Sequence, residues 1–209
     1  MSTLIPLWET DPQKLREHNL SYRKLALNRY AQSCSIPKAS LVINDLVSRD
    51  LNLATWSLPE VPSAIPGSEF IWIACAVPDY TLIVITGVVW IDGSLGPATM
   101  KFNVNGITRA AFDLSKIYAP LMLARSIQCC PSGALKAIAP YILERALEGM
   151  DSSDIRASVC CVGYFSEAIY ADNGSYVRVI LGIDRYPSGI DRQLVLMGFT
   201  VTERGLITA

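Results

Sequence analysis

Two adjacent cysteine pairs, Cys129-Cys130 and Cys160-Cys161, and a single histidine, His18, hold most of the chain's options for nucleophilic or metal chemistry. Zinc sites favour two to four residues between paired cysteines, so that the loop folds both sulfurs onto one ion. Neither pair has that spacing. Cys160-Cys161 lies in IRASVCCVGYF, an apolar segment in which successive side chains of a strand take opposite faces. Small buried thiols are the reading that fits there. Cys129-Cys130 stands just before PSGALK, a predicted helix start capped by Ser132. A helix N-terminus lowers a thiol's pKa and favours anions. Cys130 is therefore the candidate reactive thiol, and the amides of Ser132 and Gly133 are a candidate phosphate cradle. No G-x-x-x-x-G-K-[ST] or G-x-G-x-x-G occurs. A hydrolase built on a histidine base would have to use His18, which sits beside Glu17 and Asn19 in a basic segment and reads as solvated. Asp79 and Asp92 flank an apolar segment and are the candidate carboxylate pair for a glycosidase, against their simpler reading as turn acids. Asp184-Arg185 recurs as Asp191-Arg192, which reads as ion pairing across a loop. No catalytic residue, metal or cofactor is expected.

The strongest binding signal is TDPQKLREHNLSYRKLALNRYAQSC. Asp11 can cap a helix with Pro12 at its first position. Within that helix Lys14, Arg16, Arg23, Lys24 and Arg29 oppose one acid, Glu17. Such a basic amphipathic helix suits RNA, an anionic membrane surface or a neighbouring subunit, reached through residues 12–32. The formal net charge of -1 leaves room only for a local patch of this kind. Between Arg49 and Lys101 there are five acids and no base, a stretch suited to accept a basic helix from another copy.

The elements that must position these residues follow from pattern. ASLVINDLVSR, 39–49, has helical spacing of apolar and polar residues. SLPEVPSAIPGS carries three prolines, Pro59, Pro62 and Pro66, and reads as an extended connector. FIWIACAVPDYTLIVITGVVWI, residues 70–91, contains only one charge, Asp79. Its β-branched and aromatic content suits strands, Pro78-Asp79 breaks it, and no basic flank marks a membrane span. Two strands in an antiparallel hairpin are expected, about Glu69 to Val77 and Tyr80 to Ile91, covered on both faces, with Gly87 marking a bulge. Asn105-Gly106 between apolar-alternating segments predicts a second hairpin. SKIYAPLMLARSIQCC and PSGALKAIAPYILERALEGM predict helices, each kinked or restarted at its proline, Pro120 or Pro140. IRASVCCVGYF, SYVRVILGID and RQLVLMGFTVT, separated by turn chemistry, predict a three-stranded meander.

Helices, strands, helices and strands in that order predict an α+β fold. Its body is an antiparallel sheet of about seven strands with a two-sided core. The expected division is a helical N-terminal arm at 1–56, the connector at 57–68 and a core domain at 69–209. Hydrophobic residues make up 51% and charged residues 18%, below the roughly 25% charge of ordinary soluble domains. So little charge implies interfaces buried beyond one core. No secretory signal is recognised at MSTLIPLWET, so free thiols and a cytoplasmic setting (or a virion, for a viral chain) are expected. Together these features imply a non-enzymatic, self-associating structural or interaction protein on the plan of viral matrix and coat proteins. The alternatives are a thiol enzyme using Cys130 and a monomeric RNA or membrane-surface binder.

Overall fold

In a computed structural model of the chain, residues 1–6, 11–45, 69–92, 98–117, 119–120, 159–183 and 193–204 are described. They form an α+β sandwich of two antiparallel sheets with one long helix on its outside. Strands are β1 (Leu4–Pro6), β2 (Leu41–Asp45), β3 (Glu69–Ala76), β4 (Thr81–Asp92), β5 (Ala98–Val104), β6 (Ile107–Asp113), β7 (Ala119–Pro120), β8 (Val159–Ala171), β9 (Tyr176–Ile183) and β10 (Gln193–Glu203); the helix is α1 (Pro12–Cys34). The larger sheet runs β1-β8-β4-β10-β2, with β7 also on β8, and the smaller runs β3-β9-β5-β6.

Helix α1 starts as its sequence dictates. The Asp11 carboxylate accepts from the Gln13 amide at 2.9 Å, and Pro12 occupies the first turn, where no amide is needed. It ends at Ser35, in the left-handed region at φ 56°, where the Ile36 amide returns to the Ala31 carbonyl. Leu15, Tyr22, Ala26 and Tyr30, spaced by one or two turns, form its inward stripe. They set α1 on the outer face of the larger sheet, where Ala26 and Tyr30 pack with Leu82, Val84, Phe199 and Val201.

Between the sheets lies the main core. Ile83, Ile85, Val88, Trp90 and Phe165 come from the larger sheet, and Met100, Phe102, Val104, Val179 and Leu181 from the smaller. Phe102 and Phe165 meet edge to face at 5.2 Å, the arrangement aromatic quadrupoles favour. Every residue of β4 from Thr81 to Trp90 is buried. The inward parity switches at Thr86: Ile83 and Ile85 before it and Val88 and Trp90 after it face the core, while Leu82 and Val84 face α1, which accounts for the unbroken apolar run.

Four local expectations are corrected, the last of them at 114–120. β3 and β4 are not a hairpin: β3 pairs with β9 and β4 with β8 and β10, in different sheets. The turn at Pro78–Tyr80 carries the chain from one sheet to the other, with Tyr80 at φ 56°. A break between apolar strands reads the same in sequence whether the second strand pairs with the first or crosses the core. The same ambiguity undoes the meander, since β8, β9 and β10 pair with β4, β3 and β5, and β4 and β2, never with one another. Residues 39–45 are not helical: Lys38–Ser40 form a 3-10 turn and Leu41–Asp45 pair with β10. There β-branched Val42 and Ile43 and the open edge of β10 outweigh the helical spacing.

The Asn105-Gly106 hairpin is present, joining β5 to β6 with both turn residues at positive φ. Leu114–Ile117 form a 3-10 helix and Ala119–Pro120 a short strand, where an α-helix was expected to begin. The remainder of that expected helix and the next, through 150, fall outside the described residues, as does the connector at 57–68. Among the described residues no helix is long and apolar enough to cross a membrane.

Candidate functional site

The most irregular part of the larger sheet is at its centre. Beside β8, Ile85 faces Ile169 and Gly87 faces Tyr164, so Phe165, Ser166, Glu167 and Ala168 stand opposite Thr86 alone. Beside β10 the ladder shifts at the same place, between Met197 and Gly198. The bulge expected at Gly87 is therefore real. Glycine is required there: a Cβ on Gly87 would lie 2.4 Å from the Gly163 carbonyl oxygen, and one on Gly198 would lie 2.0 Å from that of Val84.

Backbone groups freed by this excursion are taken up from two sides. The Ser166 amide donates to the Thr3 carbonyl at 2.8 Å, and the Glu167 amide donates to Ser2 Oγ at 3.0 Å. From α1, the Tyr22 hydroxyl donates to the Ser166 carbonyl at 2.8 Å. Ser2 also reaches the other sheet: its amide donates to the Arg109 carbonyl, and it bridges Ala110 of β6. The N-terminal strand thus ties the bulge to the smaller sheet.

Two hollows flank the bulge. A groove of ≈ 370 Å³ is lined by Met1, Ser2, Arg29, Arg109, Glu167 and Tyr170. A smaller cavity of ≈ 150 Å³ lies between the first half of α1 and the bulge, with Leu15, Asn19, Thr86, Tyr164 and Phe165 in its wall. The hydroxyls of Tyr164 and Tyr170 and Oδ1 of Asn19 are buried without a hydrogen-bond partner among the described residues. Burial pushes the Tyr164 and Tyr170 phenols above their ordinary pKa, with Arg29 pulling Tyr170 back in part. Tyr22 is raised too, first by burial and then by Tyr170 and Glu167 nearby. Sequence reading marked Gly87 but not Tyr164, Thr86 or Ser2; Gly163, in CCVGYF, was the signal available for the facing strand.

The five basic residues of α1 do not form one patch. Arg29 forks onto Asp172 and lies over the Tyr170 ring, and Arg23 lies over the Phe199 ring at 5.3 Å. Lys14, Arg16 and Lys24 are exposed. At about 100° per residue, Lys14 and Arg16 point roughly 200° apart around the helix axis. His18 is exposed, with its ring 5.9 Å from that of Tyr22. Asp79 lies in the turn before β4 and Asp92 is the last residue of that strand, whose twelve residues alone span roughly 35 Å, far beyond the reach of a carboxylate pair. Cys129, Cys130, Ser132 and Gly133 fall outside the described residues. Cys34 and Cys75 are free, half-buried thiols, and burial raises the pKa of Cys75. Cys160 and Cys161 take their places in β8 opposite Ile91 and Trp90.

The sheet edges differ in kind. β1 and β7 are short and end in Pro6 and Pro120, and β2 has five residues ending in Asn44 and Asp45. The edge at β6 carries the bridge to Ser2. These are the usual ways of blunting an edge. β3, EFIWIACA, has eight residues and one charge, and among the described residues it pairs with β9 alone. A bulge at Trp72, between Ile71 and Ile73, is its single irregularity.

No family model matches the chain, and no curated protein matches it.

Proposed function

We propose that this protein is a non-enzymatic, self-associating structural protein of the matrix or coat type, whose copies join along β3. The observation that carries the reading is the contrast among edges. A long apolar edge strand offers a row of backbone donors and acceptors to another chain, and a second β3 laid antiparallel satisfies both copies by a two-fold axis. The low charge of the chain fits such a buried joint. Exposed Lys14, Arg16 and Lys24 then serve as accessory contacts to RNA, an anionic membrane surface or the acidic 50–100 stretch of a neighbouring copy. Arg23 and Arg29 mainly hold α1 to the sheet. A cytoplasmic or virion setting suits this role.

The test is molar mass in solution across a wide concentration range, for the native chain and for a variant carrying Ala74→Glu and Ala76→Glu. Both alanines are exposed, and they sit opposite Arg178 and Tyr176 of β9, so the variant retains its own sandwich. Association of the native chain, weakened at least tenfold in the variant, is the expected result. A native chain that stays monomeric at high concentration overturns the proposal.

A further inference from the structure

We propose that Asn173, in the turn from β8 to β9, is a site of spontaneous deamidation and isoaspartate formation, and that Asn105 is held against the same reaction. Asn105-Gly106 and Asn173-Gly174 are the two Asn-Gly dipeptides of the chain, and all four residues are exposed. A Cβ built on either glycine would meet nothing within 4 Å, so neither glycine nitrogen is shielded by the fold. Sequence and solvent access therefore do not separate the two sites. In the reaction the glycine nitrogen attacks Cγ of the asparagine. The new N–Cγ bond closes a succinimide ring, the Cγ–Nδ2 bond breaks, and the glycine's proton leaves with Nδ2 as ammonia. Water then opens the ring at either carbonyl. The product is aspartate or, with the main chain rerouted through Cγ, isoaspartate.

The two carboxamides differ in what holds them. That of Asn105 is pinned at both ends: Oδ1 accepts from the Tyr176 amide at 2.7 Å, and Nδ2 donates to Ser175 Oγ at 3.2 Å. The Tyr176 amide can only donate, which fixes which end of the carboxamide is oxygen. The Asn105 amide also donates to the Tyr176 carbonyl at 2.9 Å, so the β5–β6 turn is clasped to the start of β9 by backbone and side chain together. Closing the ring draws Cγ of Asn105 onto the Gly106 nitrogen and gives up both side-chain bonds, enough to slow the reaction about tenfold or more. Asn173 carries no such restraint. Its turn is closed by backbone alone, the Ser175 amide donating to the Asp172 carbonyl at 2.9 Å with Gly174 at φ 71°. The Asn173 carboxamide makes no hydrogen bond among the described residues and is left to solvent. Conversion there places a new carboxylate beside Asp172, which receives the Arg29 fork from α1.

The test incubates the full chain at mildly alkaline pH, folded and in urea. Peptide mapping follows, at each asparagine, the mass change that exchanges an amide nitrogen for oxygen. In urea the two sites should convert at similar rates. In the folded chain Asn173 should stay within about threefold of its urea rate, while Asn105 should convert at least about tenfold more slowly than Asn173. Ser175→Ala removes the acceptor of Asn105 Nδ2 and should raise conversion at Asn105 severalfold, with its unfolding temperature showing that it stays folded. If that variant does not fold, the ratio of the two sites in the native chain decides by itself. Asn105 converting as fast as Asn173 in the folded chain overturns the proposal, as does an Asn173 slowed as much as Asn105. An Asn105 rate unchanged in folded Ser175→Ala overturns it too. Self-association plays no part in this readout, so its failure leaves the outcome intact.

Discussion

The two sheets share one interior and have opposite exteriors. The outer face of the larger sheet carries Leu82, Val84, Phe199 and Val201, buried under Ala26 and Tyr30 of α1. On the smaller sheet the outward residues include Ala74, Thr99, Ala111 and Arg178, all exposed. Strand sequence already encodes the difference. In β4 both parities are apolar, so both faces must be covered; in β5, Met100, Phe102 and Val104 turn inward while Thr99, Lys101 and Asn103 alternate with them. A helix is added where apolar residues of the second parity require one, and it costs no further core.

That contrast can be broken by substitution. The largest effect belongs to the shared interior: Phe102→Ala should lower the unfolding free energy by about 3–5 kcal/mol in a denaturant titration. Next comes overpacking of the covered face. Ala26→Leu, at a site with no exposed surface, should cost about 1–3 kcal/mol by the same measurement.

Removing one polar tie of α1 is milder. The Tyr30 hydroxyl donates to the Tyr80 carbonyl, and Tyr30→Phe should cost about 0.5–1.5 kcal/mol. Burial, with Cys34 next, pushes the Tyr30 phenol from 10.0 up to about 12. The fold therefore favours the neutral phenol. Its contribution is complete below pH 10 and is lost as pH rises towards 12, because the unfolded chain gives up that proton first. Stability measured from pH 9 to 12 should fall less steeply in Tyr30→Phe, with Tyr22, Tyr164, Tyr170 and Cys75, all shifted in the same direction, contributing to the slope that remains. Smallest of all, Ala111→Leu on the open face should change stability by no more than about 0.5 kcal/mol. A cost there equal to that of Ala26→Leu would show that the two exteriors are not different after all.

Legibility in the sequence followed the range of the interaction. The cap at Asp11, the Asn105-Gly106 turn and the bulge at Gly87 depend on a few neighbouring residues, and each was readable. The α+β class and the burial of β4 on both faces depend on composition and parity, and these were readable too. Pairing was not. Nothing near Pro78 distinguishes a return within one sheet from a crossing between two, and nothing near Leu41 reveals that β10, more than 150 residues away, leaves an edge for it. The candidate site fails to show for the same reason: Ser2, Tyr22, Thr86 and Tyr164 are unremarkable in their own segments and meet only through the β8 excursion. The basic helix was legible as a helix, but its charge pattern could not show that Arg23 and Arg29 turn toward Phe199 and Tyr170.

The place of β4 in the larger sheet has a consequence for synthesis. Its two neighbours, β8 and β10, begin at Val159 and Gln193, whereas β4 itself ends at Asp92. A ribosome releasing this chain exposes its most apolar strand long before either neighbour exists, and among the described strands only β5 and β6 pair with the segment next to them in the chain. Such distant pairing slows folding and prolongs the interval in which nascent strands meet the wrong partner.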